Sequence, residues 1–155
     1  MMYLVEDTRQ QKNKHEQKRR TFEAHGDHVT RCALPCGDYA LFPTVSIDTK
    51  ASMLEIAQNI GGSTEEHERF RRELIKAKEN GCHLYVLIEN DENIRSISDV
   101  ATWVNPRLID SDRAITGERL AKAMTTMQER YGVTFCFCSP EKAGDAIRYI
   151  LERGN

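Results

Sequence analysis

No apolar run in the 155-residue sequence approaches the roughly 20 residues a helix needs to cross a bilayer, which excludes a helical membrane span. No secretory leader is expected either. The start, Met1-Met2-Tyr3-Leu4-Val5-Glu6-Asp7, is too short and too acidic for one, so a cytoplasmic location is expected. Charge of one sign is also missing. With 22 Lys and Arg against 24 Asp and Glu the formal charge is −2, so no global field draws the chain to nucleic acid. Any such binding has to come from local clusters and bound cations. Cysteine is sparse and unpaired in pattern: Cys32, Cys36, Cys82, Cys136 and Cys138 are odd in number and fall at no disulfide-scaffold spacing, so reduced thiols are expected. Cys136-Phe137-Cys138 would turn both thiols to one side of a strand, and four thiols would suggest zinc if that strand paired near Cys32-x-x-x-Cys36. Core cysteines are the plainer reading. Internal repeats and linker-like stretches are absent, so a single domain spanning 1–155, large enough to bury a real core, is expected.

What is present centres on Gly37-Asp38-Tyr39-Ala40-Leu41-Phe42-Pro43-Thr44-Val45-Ser46-Ile47-Asp48-Thr49-Lys50. Tyr39 to Leu41 and Val45 to Ile47 are rich in β-formers, and Pro43 marks a turn between them. A three-residue loop, Phe42 to Thr44, pairs Leu41 with Val45 and brings Asp38 opposite Asp48. The period-two alternation of a strand then puts Lys50 on the same face as Asp48. Like charges directly opposite each other are unfavourable. A divalent cation between them would remove the conflict, because hard cations take carboxylate oxygens and Mg²⁺ keeps waters for chemistry. An ammonium beside such a water can orient it or stabilise charge on a phosphate oxygen. The patch is expected at the sheet edge, with Asp7 within reach of the same cavity.

The remaining chain reads as elements that frame this hairpin. Met2 to Val5 is a short strand that delivers Asp7 at its carboxyl end. Lys12 to Ala24 is a polar helix with Lys12, Lys14, Lys18, Arg19 and Arg20, either solvated or facing phosphate, and Phe22 is its main apolar contact. His28 to Leu34 is a half-buried strand. Ala51 to Ile60 is a helix with Met53, Leu54, Ile56, Ala57 and Ile60 inward, ended by Gly61-Gly62. Ser63-Thr64-Glu65-Glu66 matches a capping box, opening a helix from Thr64 to about Asn80 with Phe70, Leu74 and Ala77 on its core side. His67 on that helix reads as a surface histidine. His83 to Ile88 is nearly continuous apolar sequence and reads as the sheet centre, with Glu89 either near the hairpin site or facing a helix. From Asp91 to Ile115 the chain is polar and turn-rich, either an ordered substrate-side loop carrying Arg107 and Arg113 or, the plainer reading, a surface loop pinned by a buried Trp103. Gly117 to Tyr131 is an amphipathic helix, Val133 to Cys138 the last strand, and Ser139-Pro140 opens a closing helix to Arg153. The order β-α-β-β-β-α-α-β-α-β-α predicts an α/β fold, a mixed β-sheet flanked by helices.

Asp38 followed ten positions on by Asp48-x-Lys50 resembles the PD-(D/E)xK nuclease core. More narrowly, Gly37-Asp38-Tyr39 and Ile47-Asp48-Thr49-Lys50 resemble the G-D-Y and V-E-R-K signature of the ERCC4-type (XPF/Mus81-like) nuclease family. Val5-Glu6-Asp7-Thr8-Arg9-Gln10 is similar to that family's V-D-x-R-E segment, Arg69-Phe70-Arg71-Arg72-Glu73 to its R-L-x-x-Q, and Leu87-Ile88-Glu89 to its L-I-E strand end. The resemblance covers residues 3 to 90 closely and the final strand and helix loosely. It implies a restriction-endonuclease-like fold and a DNA endonuclease dependent on Mg²⁺ or Mn²⁺, selective for branched or flap DNA. By the same resemblance Asp38, Asp48 and the backbone carbonyl of Thr49 would bind the ion and Lys50 would position the attacking water. Asp7 would hold a metal-bound water or a second ion, and Arg9 and Arg69 would contact phosphates.

The departures are specific. The family's Glu is Asp48 here, its Arg is Thr49, and the fourth residue after the Lys is Leu54, so no role passes to the neighbouring Glu55. No helicase or helix-hairpin-helix domain accompanies the motifs, which looks like a stand-alone domain of bacterial, phage or prophage origin. A homodimer or a partner subunit is left open. The other reading is a catalytically silent nucleic-acid-binding or scaffolding module of a repair or recombination complex. Such modules typically lose the acids or the Lys, and all three are present here.

Overall fold

The computed structural model describes residues 2–11, 14–34, 36–41 and 45–153. Strand β1 (Tyr3–Asp7) leads through α1 (Glu16–Ala24) to β2 (His28–Cys32). The hairpin β3 (Tyr39–Leu41) and β4 (Val45–Lys50) comes next, followed by α2 (Met53–Gly61), α3 (Thr64–Glu79) and β5 (His83–Glu89). A short α4 (Ile97–Val100) and a 3-10 turn at Pro106–Ile109 precede α5 (Gly117–Tyr131), β6 (Thr134–Cys138) and α6 (Ala143–Arg153). The six strands form one mixed sheet in the order β2-β1-β3-β4-β5-β6. β3 runs antiparallel to both β1 and β4; the pairs β1·β2, β4·β5 and β5·β6 are parallel. The expected mixed sheet flanked by helices is the architecture found. Among the described residues no helix is long and apolar enough to cross a membrane.

Local chemistry sets the boundaries. Ser52 caps α2 by accepting from the Glu55 amide, and Ser63 with Glu66 closes the full capping box on α3. Thr116 caps α5, which ends on Gly132 in the left-handed conformation. One sheet face is covered by α2, α3 and α5 through Met53, Ile56, Phe70, Leu74, Leu120 and Met124. The other carries α1 and α6, with Phe22, Ile147 and Leu151 packed on Leu4, Tyr39 and Ile47. Phe22 meets Tyr39 edge-to-face at 5.7 Å, a geometry worth about 1 kcal/mol beyond its buried area, and this fixes α1 over β3. On β4, Val45 and Ile47 belong to the α1/α6 side, so alternation turns Ser46, Asp48 and Lys50 toward α3.

Four readings change. The helix placed at Lys12 to Ala24 begins at Glu16; His15 offers it no side-chain cap, and Lys12 lies outside the described residues. β5 is buried on both faces but sits one strand in from the β6 edge, while β3 and β4 form the middle pair. β2 and β6 are opposite edges of the sheet, so Cys32 and Cys36 are not brought to Cys136 and Cys138 by strand pairing and the zinc idea falls. The 91–115 insert is more ordered than a plain loop. Asn90 accepts from the amides of Glu92 and Ile94, and buried Trp103 donates Nε1–H to Glu92 at 2.8 Å.

Candidate active site

Three chain segments converge at the carboxyl ends of β1, β4 and β5. Asp7 closes β1, Asp38 precedes β3, and Asp48, Thr49 and Lys50 end β4. Leu41 pairs with Val45 and Tyr39 with Ile47, the register the hairpin pattern predicts, although the loop at 42–44 is outside the described residues. Asp38 is stapled from both sides: its amide donates to the Ile47 carbonyl at 2.6 Å and its carbonyl accepts from the Asp7 amide at 2.7 Å. Gly37 makes this possible. Its φ is +76°, and a Cβ there would collide with the Ser46 side chain and press on the Ile47 carbonyl, so the turn into Asp38 closes on β4 only with glycine. The site therefore lies at strand ends in the middle of the sheet, not at its lateral edge.

Two adjoining hollows of about 400 and 270 Å³ share Asp7, Arg9, Asp38 and Asp48. The larger also takes in Lys14, His15, Thr49, Lys50, Glu55 and Glu89; the smaller adds Cys36, Glu73 and Lys76. Asp38 Oδ2 accepts from the amide of Thr49 at 2.6 Å and from its hydroxyl at 3.0 Å. Lys50 Nζ lies 2.9 Å from Asp48 Oδ2, with the two side chains only 11% and 12% exposed, and 5.3 Å from the centre of the Phe70 ring. Both Asp7 oxygens are engaged, Oδ2 by Arg9 Nε at 2.7 Å and Oδ1 by the Leu34 amide at 3.1 Å. Arg9 also donates to the Leu34 carbonyl, so it braces Asp7 while much of its side chain stays exposed on the rim. Arg69 is the exception among the expected residues: it is exposed on α3 and lines neither hollow. A separate hollow of about 450 Å³ between α3 and α5 is lined by Arg71, Arg119, Lys122 and Arg130 and by no carboxylate among the described residues.

The sequence pattern that defines the ERCC4 domain matches residues 5–150. The chain belongs to the ERCC4 domain family. Compared by sequence alone with curated proteins, this ERCC4 domain has no match. Among solved structures it superposes on XPF from Aeropyrum pernix with a TM-score of 0.70 at 18% identity, covering 98% of this chain and 64% of that one. XPF from the same organism in complex with DNA superposes with a TM-score of 0.67 at 18% identity, covering 97% and 63%. At that identity the likeness shows a shared fold, and the ERCC4 domain spans just under two thirds of the XPF chain.

Burial governs the electrostatics of this ERCC4 domain's cleft. Desolvation pushes the Asp48 carboxyl well above the usual carboxylate range; Asp38 and Glu73 push the same way, and Lys50 only partly offsets them. Burial alone would lower Lys50, but Asp48 outweighs it and the ammonium is held above its ordinary value. The Lys50 ammonium, 2.9 Å away, is the one partner of buried Asp48 Oδ2 among the described residues. One ammonium against the neighbouring carboxylates of Asp48 and Asp38 leaves negative charge that a proton or a hard cation would offset. No group of three His, Cys, Asp or Glu side chains among the described residues forms a ready-made cage, so a cation here would rely on the Asp38 and Asp48 pair, a backbone carbonyl and water. That donor set, all oxygen and incomplete, fits Mg²⁺ or Mn²⁺.

Several lining residues were not placed at the site from sequence. Lys14 and His15 come from the turn before α1, and Lys76 and Glu73, the latter closing the Arg69–Glu73 motif, come from α3. Glu89, left open between two roles, fills both: it ends β5 at the cleft and pairs with Lys18 of α1. Glu55 also lines the cleft, with Oε2 accepting from the Ala51 amide at 2.8 Å. His67 ties α3 to α2 through the Ile60 carbonyl and takes no part.

Proposed function

We propose that this ERCC4 domain is a metal-dependent endonuclease of the PD-(D/E)xK kind that hydrolyses phosphodiester bonds in DNA, branched or flap DNA being its substrate class. The observation that carries the reading is the buried Asp48–Lys50 pair beside Asp38, three groups of complementary chemistry placed by one hairpin at the mouth of one cleft. A related fold, XPF from Aeropyrum pernix, has been solved in complex with DNA, which supports the choice of substrate.

Asp38, Asp48 and the backbone carbonyl of Thr49, with Asp7 nearby, would hold Mg²⁺ or Mn²⁺, which would supply Lewis-acid chemistry at the scissile phosphate. Thr49 holds the Asp38 carboxylate against β4 and so fixes the spacing of the two acids. Lys50, steadied by Asp48 and the Phe70 ring, orients the attacking water and offsets charge on a phosphate oxygen. Asp7 is locked by Arg9 and the Leu34 amide, so it orients water without swinging into the cleft. Attack in line with the leaving oxygen leaves a 3′-hydroxyl and a 5′-phosphate.

The test is cleavage of flapped, splayed and plasmid DNA with Mg²⁺ or Mn²⁺ by wild type, Asp48→Asn and Lys50→Met. Cleavage by wild type only, with metal affinity weakened in calorimetry by Asp48→Asn and not by Lys50→Met, is the expected result. Equal nicking by all three overturns the reading and leaves a silent nucleic-acid-binding or scaffolding module.

A further inference from the structure

A buried polar chain reaches the cleft from the α1 side. Lys18 Nζ pairs with Glu89 Oε2 at 2.9 Å, the side chains being 8% and 10% exposed, and the same ammonium lies 3.3 Å from His15 Nδ1. An ammonium carries three donors and no acceptor, so Nδ1 has to present its lone pair. The imidazole is then neutral with its proton on Nε2. Nε2 has no hydrogen-bond partner among the described residues, while the ring lines the cleft with Asp48, Lys50 and Glu55. Burial first, and Lys18 second, hold the ring below its ordinary pKa, in keeping with a neutral imidazole. A polyanion entering this cleft meets Asp7, Asp38, Asp48, Glu55 and Glu89, so it needs donors, and Lys14 and His15 line the same cleft along with Arg9 and Lys50.

We propose that His15 is a substrate-binding residue, a neutral Nε2–H donor to a phosphodiester oxygen of the DNA strand in the cleft, and that Lys18 and Glu89 position it by fixing its tautomer. The identity of the ligand rests on the endonuclease reading; the tautomer does not. A second ammonium-facing cation would be repelled here, whereas a neutral N–H adds a directional bond at no electrostatic cost to Lys18.

Nitrogen-15 spectra of histidine-labelled protein test the tautomer directly. The expected result is protonated Nε2 and bare Nδ1 at His15, becoming a mixture of tautomers in Lys18→Met; a proton on Nδ1 in the wild type overturns the proposal. Binding is then measured with a flapped duplex in the Asp48→Asn background. DNA should move the His15 Nε2 signal, and His15→Ala should weaken binding roughly ten- to a hundredfold, the scale of a hydrogen bond to a charged group. His15→Gln, which keeps an N–H at similar reach, should restore most of it, with melting curves showing that both variants fold. Unchanged affinity in His15→Ala overturns the proposal while cleavage that depends on Asp48 and Lys50 leaves the endonuclease reading standing. No DNA binding by any of these proteins overturns both.

Discussion

Asp38, at the start of β3, is held by its neighbour's strand: the Thr49 amide and hydroxyl both donate to its Oδ2, at 2.6 and 3.0 Å. Hairpin register and acid spacing are therefore one property. Thr49 stands where the family signature carries Arg, and the exchange replaces a charge with a clamp. Thr49→Val keeps the shape and the amide bond but removes the hydroxyl. It should cost about 1 kcal/mol of stability, read in urea melts, and weaken divalent-ion affinity in calorimetry. Wild-type affinity in that variant would show that the amide alone fixes Asp38.

Gly37→Ala separates two penalties. At φ +76° any side chain is strained, and at this position the added Cβ also meets Ser46 and the Ile47 carbonyl. Gly26, at φ +71° with open space around it, supplies the strain alone. Gly26→Ala should cost about 1–2 kcal/mol and leave metal binding intact. Gly37→Ala should cost more and also lower metal affinity and cleavage, because the turn that aims Asp38 has to move. Equal melting temperatures for the two variants would mean that β4 yields to the new methyl.

The Asp48 carboxyl sets a pH dependence in the metal-free protein. Its folded pKa is raised above the unfolded value, so the folded state binds the proton more tightly and stability falls as pH rises from the ordinary carboxylate range toward the raised value. Asp48→Asn removes that loss, and Lys50 retains Glu55 and Glu73 as neighbouring charges. Without metal the variant should melt above wild type at about pH 8, by about 3 °C for each 1 kcal/mol relieved, with the gap shrinking toward about pH 5. Saturating Mg²⁺ should reverse the order, since an ion stabilises only the state that binds it. A gap independent of pH would show that Asp48 does not titrate in this window.

Much of this site is written in local sequence. The period of two along Val45 to Lys50 and the Leu41–Val45 pairing sufficed to bring Asp48 and Lys50 to one face with Asp38 beside them, because strand alternation and hairpin length are short-range properties. The helix boundaries at Ser52, Ser63 and Gly132 follow from caps for the same reason. The rest depends on how elements dock. Placing β5 inside the sheet and β2 far from β6 is a matter of strand order, which no local pattern encodes, so sequence alone left the zinc alternative for the cysteines open beside the reading as reduced core thiols. Lys14 and His15 belong to an uncapped turn without periodicity, so nothing in the sequence aims them at Asp48.

Arg69 tests how far the family's DNA contacts extend on this chain. It precedes Glu73 and Lys76 by four and seven residues, so the three share one helical stripe, and the latter two line the smaller hollow. Arg69 is exposed one turn beyond them and has no ion-pair partner among the described residues, which leaves its guanidinium free for a phosphate. Arg9 differs, since its guanidinium already serves Asp7 and Leu34. Arg69→Ala should leave the melting temperature nearly unchanged, weaken binding to flapped DNA, and reduce the slope of log affinity against log salt by about one, the signature of one lost phosphate contact. Arg9→Ala should instead lower the melting temperature and disturb metal binding, because Asp7 loses its brace. If Arg69→Ala leaves both affinity and salt slope at wild-type values, the side chain is a solvated arginine, and the DNA path leaves the cleft on the α1 side, past Lys14 and His15.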